Sequence, residues 1–596
     1  MDNISNEINN FSNSDNQESF IEKVFKVELL SNLIASFLLP EEKGPFFSAN
    51  KKLHSFYRNS IKELKSHIIL KSPQIIDRFL YLQKIEICGR KSVDFSFLKK
   101  PKNLEQLKLK EVSVKDISVL SNLTGLKSLI LITNKITDIS FIKNLTKLSF
   151  LDLSNNKIIN IDYLKYLQFL KSLSLQNCGL TDLDILKCQN FENLEKLSIG
   201  MNQIKNYSFL ANLQNLIKLN LYQNQLISID SLIELNGDKI TELNLGGNKI
   251  IDYSVLVKFK NIKKLNLYNN NIMNIDFLNN DSFSNLEDLD IGCNRNIKDF
   301  TSITNLKSLK KINLYECNLE NIDFLVKENL ELLEYIELEN NYGLEDFSVL
   351  SFLKNLKYLS LKCSNFNWLN TCQFMDVITE LKLTNKNPNL PNQNVYQYGI
   401  PIMDIDDNEQ QIIISSSIEN LKNLTNIKIL NLSGWNFEDI SFLKNDNFYN
   451  LEKLNLSSNK IRNAYPIGLL KKIKILNLKD NKIEDIFFLN EKLIIEEINL
   501  KGNKIKDISP LLKLPKIEII NIQYQKLKLE KGDKSVSDNL KGEIKIEEVT
   551  ENNYNFYDNY PIINAKEKMF FNEIIDKIKK KEIKCLCNQK FLSIKE

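Results

Sequence analysis

The chain is poor in the residues from which reaction centres are built. Of its 596 residues only two are histidine, His54 and His67. That shortage excludes a histidine triad, a histidine-rich metal site and most general-base schemes. Neither a G-x-x-x-x-G-K-[ST] phosphate loop nor a strand-associated G-x-G-x-x-G occurs. The nine cysteines are odd in number and scattered, without the dense even framework of a small secreted scaffold, which points to reduced thiols. Cys585-Leu-Cys587 is a lone C-x-C without companion ligands, so no metal is expected. No apolar run approaches the roughly 18 residues of a membrane span. The opening MDNISNEINNFSNSDNQ has no charged region leading into an apolar one, so no signal peptide is visible and a cytoplasmic setting is expected. With 79 Lys and Arg against 75 Asp and Glu, the charge balance calls for neither nucleic acid nor an anionic surface. The expectation is a non-enzyme with no catalytic residues, no metal and no cofactor.

What is present in abundance is a repeated phrase. Leu216-Ile-Lys-Leu219-Asn-Leu221-Tyr-Gln-Asn224-Gln-Leu226 is followed by the same pattern from Ile240 to Ile250 and again from Ile262 to Ile272, written L-x-x-L-x-L-x-x-N-x-I. Its first position recurs at Leu82, Leu104, Leu126, Leu148, Leu170, Leu194, Leu216, Ile240, Ile262, Leu286, Leu309, Leu333, Leu356 and Ile378, and then at Ile427, Leu451, Ile473, Ile495 and Ile517. The L-x-L core has period two, which places Leu219 and Leu221 inward on a short strand. Asn at the ninth position carries donors and an acceptor on a short side chain, suited to backbone groups that a stacked coil would otherwise bury unpaired. Cys178 and Cys317 stand at the same position, which assigns them a structural place. In Asp138-Ile-Ser140, Asp252-Tyr-Ser254, Asp346-Phe-Ser348, Asp439-Ile-Ser441 and Asp507-Ile-Ser509 the serine is expected to cap a short helical turn on the convex side, with Pro510 suited to the first helical position.

The phrase resembles the 22-residue class of leucine-rich repeats, as in protein phosphatase-1 regulators and bacterial internalins. The resemblance implies an α/β solenoid: a curved stack with a parallel sheet on the concave face, short helical or irregular convex segments and a small helical N-terminal unit. The divisions expected are a disordered 1–18, helices over 19–80, repeats over 81–383 (about 14 coils), a degenerate coil with a Pro-containing loop over 384–420, repeats over 421–528 (about five coils), and a C-terminal cap with a basic helix over 529–596. Within 19–80 the apolar spacing predicts helices, including Ile61-Lys-Glu-Leu64. These residues read either as a cap over the open end of the repeat core or as a docking module. Val27 to Leu38, Glu41-Glu42 and Asn50-Lys51-Lys52 followed by aromatics resemble an F-box, although no Leu-Pro precedes Glu28 and no Trp follows Lys52. That resemblance implies docking of a Skp-type adaptor of a cullin-type ubiquitin ligase through Leu29, Leu30, Leu33, Ile34, Phe37 and Leu38.

A repeat of this kind builds a binding surface, so a protein partner is expected on the concave face. The third, fifth, seventh and eighth positions point there. Tyr222, Tyr268 and Tyr315 stand at the seventh, on alternate coils with Gly246 and Gly292 between, and the intervals are expected to leave gaps between rings. Glu316, Tyr335, Glu337, Glu339 and Tyr358 continue the row as an acidic and aromatic patch suited to a basic segment. The readings left open are a ligase substrate receptor, a phosphatase-regulator-like scaffold and an internalin-like adhesin.

Overall fold

The computed structural model describes residues 63–66, 82–89, 98, 103–112, 116–326, 330–372, 374, 376–385, 417–507, 509–517, 519–522 and 584–585. The expectations for residues 1–18, for Leu29 to Leu38, for the Pro-containing loop between 386 and 416, and for the C-terminal basic helix lie outside them. The chain forms two compact units, Met1–Asn270 with Asn280–Asn285 and Asn271–Asn279 with Leu286–Glu596.

Each unit is built from one coil repeated. In the first, strands run parallel in sequence order from Glu63–Ser66 to Lys264–Asn266, with Leu107, Leu129, Leu151 and Leu173 in mutual register. In the second, parallel strands run from Asp288–Asp290 to Ile519–Asn521, and Lys584–Cys585 pairs with the last of these. Three-residue strands bury only their middle residue and leave its neighbours half-exposed or exposed. The leucines and isoleucines at positions one, four, six and eleven are almost wholly buried in both units. One coil cannot cover this apolar face alone, and stacking does so.

Helix was expected for Ile61-Lys-Glu-Leu64. The structure instead makes Glu63–Ser66 a strand, parallel to Lys84–Cys88 with Leu64 opposite Ile85. The unpaired edge of the next strand decides it, since pairing satisfies backbone groups that a short isolated helical turn would leave to water. The Pro-containing insertion does not interrupt the sheet. Leu381 pairs directly with Leu430, and Ile418–Asn423 forms the convex turn of the same coil. Thr384 and Asn385, placed in the insertion from sequence, are strand residues.

Position nine sets the geometry of the coil. Asn156 Nδ2 donates to Leu131 O of the preceding coil (2.7 Å) and to Leu153 O of its own (2.7 Å), while its Oδ1 accepts from Asn134 N and Ile136 N, both 3.0 Å. Asn202, Asn248, Asn341, Asn459 and Asn503 repeat parts of this pattern, buried throughout. Cys178 and Cys317 keep only the donor half, each S–H reaching the preceding coil's position-six carbonyl at 3.3 Å. Trp435 does the same with its indole, Nε1 donating to Leu383 O at 2.8 Å. Where position nine is Arg90, Val112, Ser364 or Lys386, the strand instead runs on for five or six residues. In the short-strand coils the residue at position eight takes a left-handed φ, as at Asn155 (58°) and Met201 (57°), a local cost the bonds of Asn156 and Asn202 offset, and also at Glu316 (56°) beside Cys317.

The convex segments are 3-10 turns, and their capping differs from expectation. Ser140 is the first residue of its turn, and the cap is Asp138, whose Oδ1 accepts from Ser140 N at 2.8 Å while Oδ2 accepts from Ser140 Oγ at 2.8 Å. Asp252 with Ser254 and Asp439 with Ser441 repeat the pair. A carboxylate two residues back reaches the free N–H with full charge, so the serine becomes a second donor to it.

Replacing Asn459 by Ala strips partners from Trp435 N, Phe437 N, Leu432 O and Leu456 O. A loss of about 4 kcal/mol is expected in a urea titration, against about 1–2 kcal/mol for Trp435→Phe, which leaves one carbonyl unpaired. A second expectation concerns acid. The Ser254 and Ser348 N–H groups hold the carboxyls of Asp252 and Asp346 below their usual value of 3.8. A depressed carboxyl stabilises the fold above its unfolded pKa, and that contribution is lost as pH falls through the folded value. Thermal unfolding should therefore move to lower temperature below pH 3.8, and Asp252→Asn should flatten that dependence.

Candidate protein-binding face

The exposed side of the strands is shaped by position five before any partner is considered. Asn220, Asn266 and Asn313 turn their Oδ1 atoms back to accept from the N–H of Tyr222 (2.9 Å), Tyr268 (3.0 Å) and Tyr315 (2.9 Å). The backbone that carries each tyrosine is thus fixed from two residues away. This second row of asparagines was not picked out from sequence, although the L-N-L triplets spell it.

In the first unit, Tyr222 and Tyr268 are half-buried. The glycines beside Tyr222 do not leave a gap: a Cβ on Gly246 would lie 3.2 Å from Tyr222 Cδ2, and one on Gly247 3.4 Å from Cε2. The ring lies close over the next coil, and the tightest approaches to these glycines come from Asn266 Oδ1, 2.6 Å from a Cβ on Gly246, and Gln223 Cγ, 2.5 Å from one on Gly247.

The second unit carries the other six expected residues, and these form a connected group. Tyr335 and Tyr358 stack with ring centroids 3.9 Å apart and planes at 6°, because position three places them opposite each other on adjacent strands. Tyr358 Oη donates to Glu337 Oε2 at 3.0 Å, and Glu337 Oε1 accepts from Glu339 N at 3.0 Å, so this glutamate takes the role that asparagine has in other coils. Lys382 pairs with Glu339 across two coils, reaching over the short, buried Ser360, and Thr384 Oγ1 donates to the same carboxylate at 3.3 Å. Asn340 Nδ2 donates to Tyr315 Oη at 2.6 Å. Arg295 pairs with Glu316, Lys311 stands 5.9 Å from the Tyr335 ring, and the buried Lys362 lies 4.3 Å from the ring of Tyr342.

The charges follow from this packing. Burial pushes the Glu337 carboxyl above its usual value, and the bonds from Glu339 N–H and Tyr358 only partly oppose it. Burial, with Glu337 beside it, likewise holds the Tyr358 phenol protonated. Burial pulls the Lys382 ammonium down, but Glu339 and Glu337 outweigh it and leave it raised. The glutamates expected to offer free negative charge are therefore already engaged, Glu316 by Arg295 and Glu339 by Lys382. The surface is an aromatic pair framed by neutralised charges. Lys382, Asn340, Lys362 and Tyr342 escaped sequence reading because their partners lie on other coils, 43 residues apart for Lys382 and Glu339.

Among the described residues no group of three or more His, Cys, Asp or Glu could hold a metal ion, and no helix is long and apolar enough to cross a membrane. Burial pushes the Cys178 thiol up to about 11 and Cys317 to about 12, which suits packing rather than nucleophilic attack.

Comparison with a family model agrees on the repeat. Residues 168–212 match the family model described as Leucine Rich repeats (2 copies). Similar solved structures include the internalin InlF of Listeria monocytogenes, at 24% identity and TM-score 0.36 over 69% of this chain and 89% of that one. Another is a leucine-rich-repeat protein of Leptospira interrogans, at 21% identity and TM-score 0.34 over 78% of this chain and 96% of that one. None of the curated proteins compared with the chain matches it. The fold is that of a leucine-rich-repeat protein. Such repeats form scaffolds for protein–protein interaction, in which the strand face offers the extended surface.

Substituting Glu337 by Gln keeps an oxygen for Glu339 N–H and removes a half-buried charge. A carboxyl whose folded pKa is raised costs stability once pH rises above its unfolded value, here about 4.5. The variant should therefore unfold at higher temperature than the parent at pH 7, with the difference vanishing below pH 4.5.

Proposed function

We propose that the chain is a protein-binding scaffold whose second unit receives its partner on the strand face around Tyr335 and Tyr358. The observation that carries this reading is the stacked, half-exposed tyrosine pair, in which Tyr358 is bonded to Glu337. Two large amphipathic rings fixed in place offer contact area at little entropic cost, which is the character of an interface centre. Tyr315, Glu316 and Glu339 form the polar margin around the pair; on the first unit, taken by itself, Tyr222 and Tyr268 are the proposed contact residues. Because the glutamates are neutralised by Arg295 and Lys382, the partner places an apolar or aromatic residue on the rings and hydrogen-bonding groups around them.

In its finer form the proposal draws on the sequence of residues 19–80 and makes the chain an F-box-like substrate receptor. Leu29, Leu30, Leu33, Ile34, Phe37 and Leu38 then dock a Skp-type adaptor, and the repeats hold the substrate. A phosphatase-regulator-like scaffold and an internalin-like adhesin keep the strand face and dispense with the adaptor.

Affinity capture with the full chain tests both levels. The Tyr335→Ala/Tyr358→Ala variant should lose its captured partner, with affinity falling by roughly 30-fold or more, about 2 kcal/mol, while Leu30→Glu/Leu33→Glu should lose a Skp adaptor and cullin only. Unchanged capture by the tyrosine variant overturns the site. Absence of adaptor and cullin from the parent's captured set overturns the ligase form and leaves the scaffold.

A further inference from the structure

Toward its later coils the strand face of the second unit changes character. Position five is asparagine in five successive coils, Asn431, Asn455, Asn477, Asn499 and Asn521. The first four each use Oδ1 to accept a backbone N–H two residues on, from Ser433 (3.1 Å), Ser457 (3.0 Å), Lys479 (3.1 Å) and Lys501 (3.1 Å). That bond fixes the plane of each carboxamide. Their Nδ2 groups have no protein partner among the described residues, and all four side chains are half-exposed. The result is a file of immobilised N–H donors, one per strand, on strands in unbroken register.

Beside it, position three reads Ile429, Lys453, Ile475, Glu497, Ile519. The isoleucines are half-exposed and recur on every second strand. At roughly 4.8 Å between strands the apolar period is about 9.6 Å. A peptide in β conformation repeats a face every two residues, about 6.8 Å, and drifts out of step. A polyproline II helix repeats a face every three residues at about 3.1 Å each, or about 9.3 Å, and stays in step across the strip. It also has no internal hydrogen bonds, so its carbonyls are free to accept.

We infer that the strip from Ile429 to Ile519 binds a polypeptide segment in the polyproline II conformation with an apolar residue at every third position. The segment runs along the stacking direction, its apolar residues against the isoleucines and the carbonyls of one face on the Nδ2 groups of alternate asparagines, such as Asn431 and Asn477. Lys453 and Glu497 stand between the isoleucines with opposite charge, so the strip sets no sign of charge on the ligand. The inference rests on the reading of the chain as a protein-binding scaffold but not on the tyrosine pair.

The test is titration calorimetry of the full chain with the uncharged peptide (Leu-Pro-Pro)5, against a peptide of the same composition with its leucines clustered. The periodic peptide should bind at least tenfold more tightly. Asn431→Asp/Asn477→Asp keeps both backbone caps and removes two donors, and Ile475→Ser removes one apolar seat from the surface. Each should weaken binding at least fivefold with thermal unfolding unchanged, whereas Tyr335→Ala/Tyr358→Ala should bind the peptide as the parent does. Equal affinity for the two peptides, failure of both to bind, or unchanged affinity in the strip variants overturns the inference. Loss of binding in the tyrosine variant alone places the peptide on that pair, which overturns the strip and leaves the proposed interface standing.

Discussion

The structure depends on one requirement: when each coil leaves its strand and turns, the carbonyls and N–H groups at the turn are sealed against the next coil and must find partners there. Asparagine at position nine meets it because one short carboxamide can donate to two carbonyls and accept from two amides. That single residue joins its coil to the preceding one, ends the strand after three residues, and follows a position eight in a left-handed conformation that Met201 would not choose by itself. Everything on the strand face, including the spacing of exposed side chains, inherits its regularity from this buried file.

The substitutes show which part of the asparagine is needed most. Cys178, Cys317 and Trp435 share one contact with it, a donor aimed at the preceding coil's position-six carbonyl, and their coils keep short strands. Where position nine is Ser364 or Lys386, the preceding residues stay extended and the two strands pair over six residues. Those two long strands are also where the exposed face is most elaborate. Lys362, Lys382 and Thr384 stand there, and Lys382 and Thr384 reach back to Glu339. Loss of a structural residue and gain of a specialised surface coincide, as expected when local consistency is given up at sites that do something else.

Much of this was legible in the sequence. The register of Leu219, Leu221 and their counterparts fixed strand, coil and stacking, and the burial of Asn156 and Asn459 follows from their position. What could not be read were interactions of two kinds. Capping depends on which of two adjacent polar side chains wins the same N–H, and Asp138 wins over Ser140 because it carries the charge. The binding face depends on side chains that meet across coils: nothing along the chain says that Tyr222 lies over Gly246, or that Lys382 neutralises Glu339. The strand at Glu63–Ser66 was missed for a related reason, since its four residues are decided by a neighbouring edge rather than by their own pattern.

Residue-resolved hydrogen exchange of the full chain tests the asparagine file most directly. The amides of Asn134, Ile136, Trp435 and Phe437 are held by buried position-nine oxygens, while those of Ser140, Ser254 and Ser441 are held by exposed aspartates. If the file holds the coils together, the first group exchanges only when coils separate, on the order of 100-fold or more slowly than the second. Comparable rates in the two groups would show that the turns open without disturbing the stack, and would contradict the account.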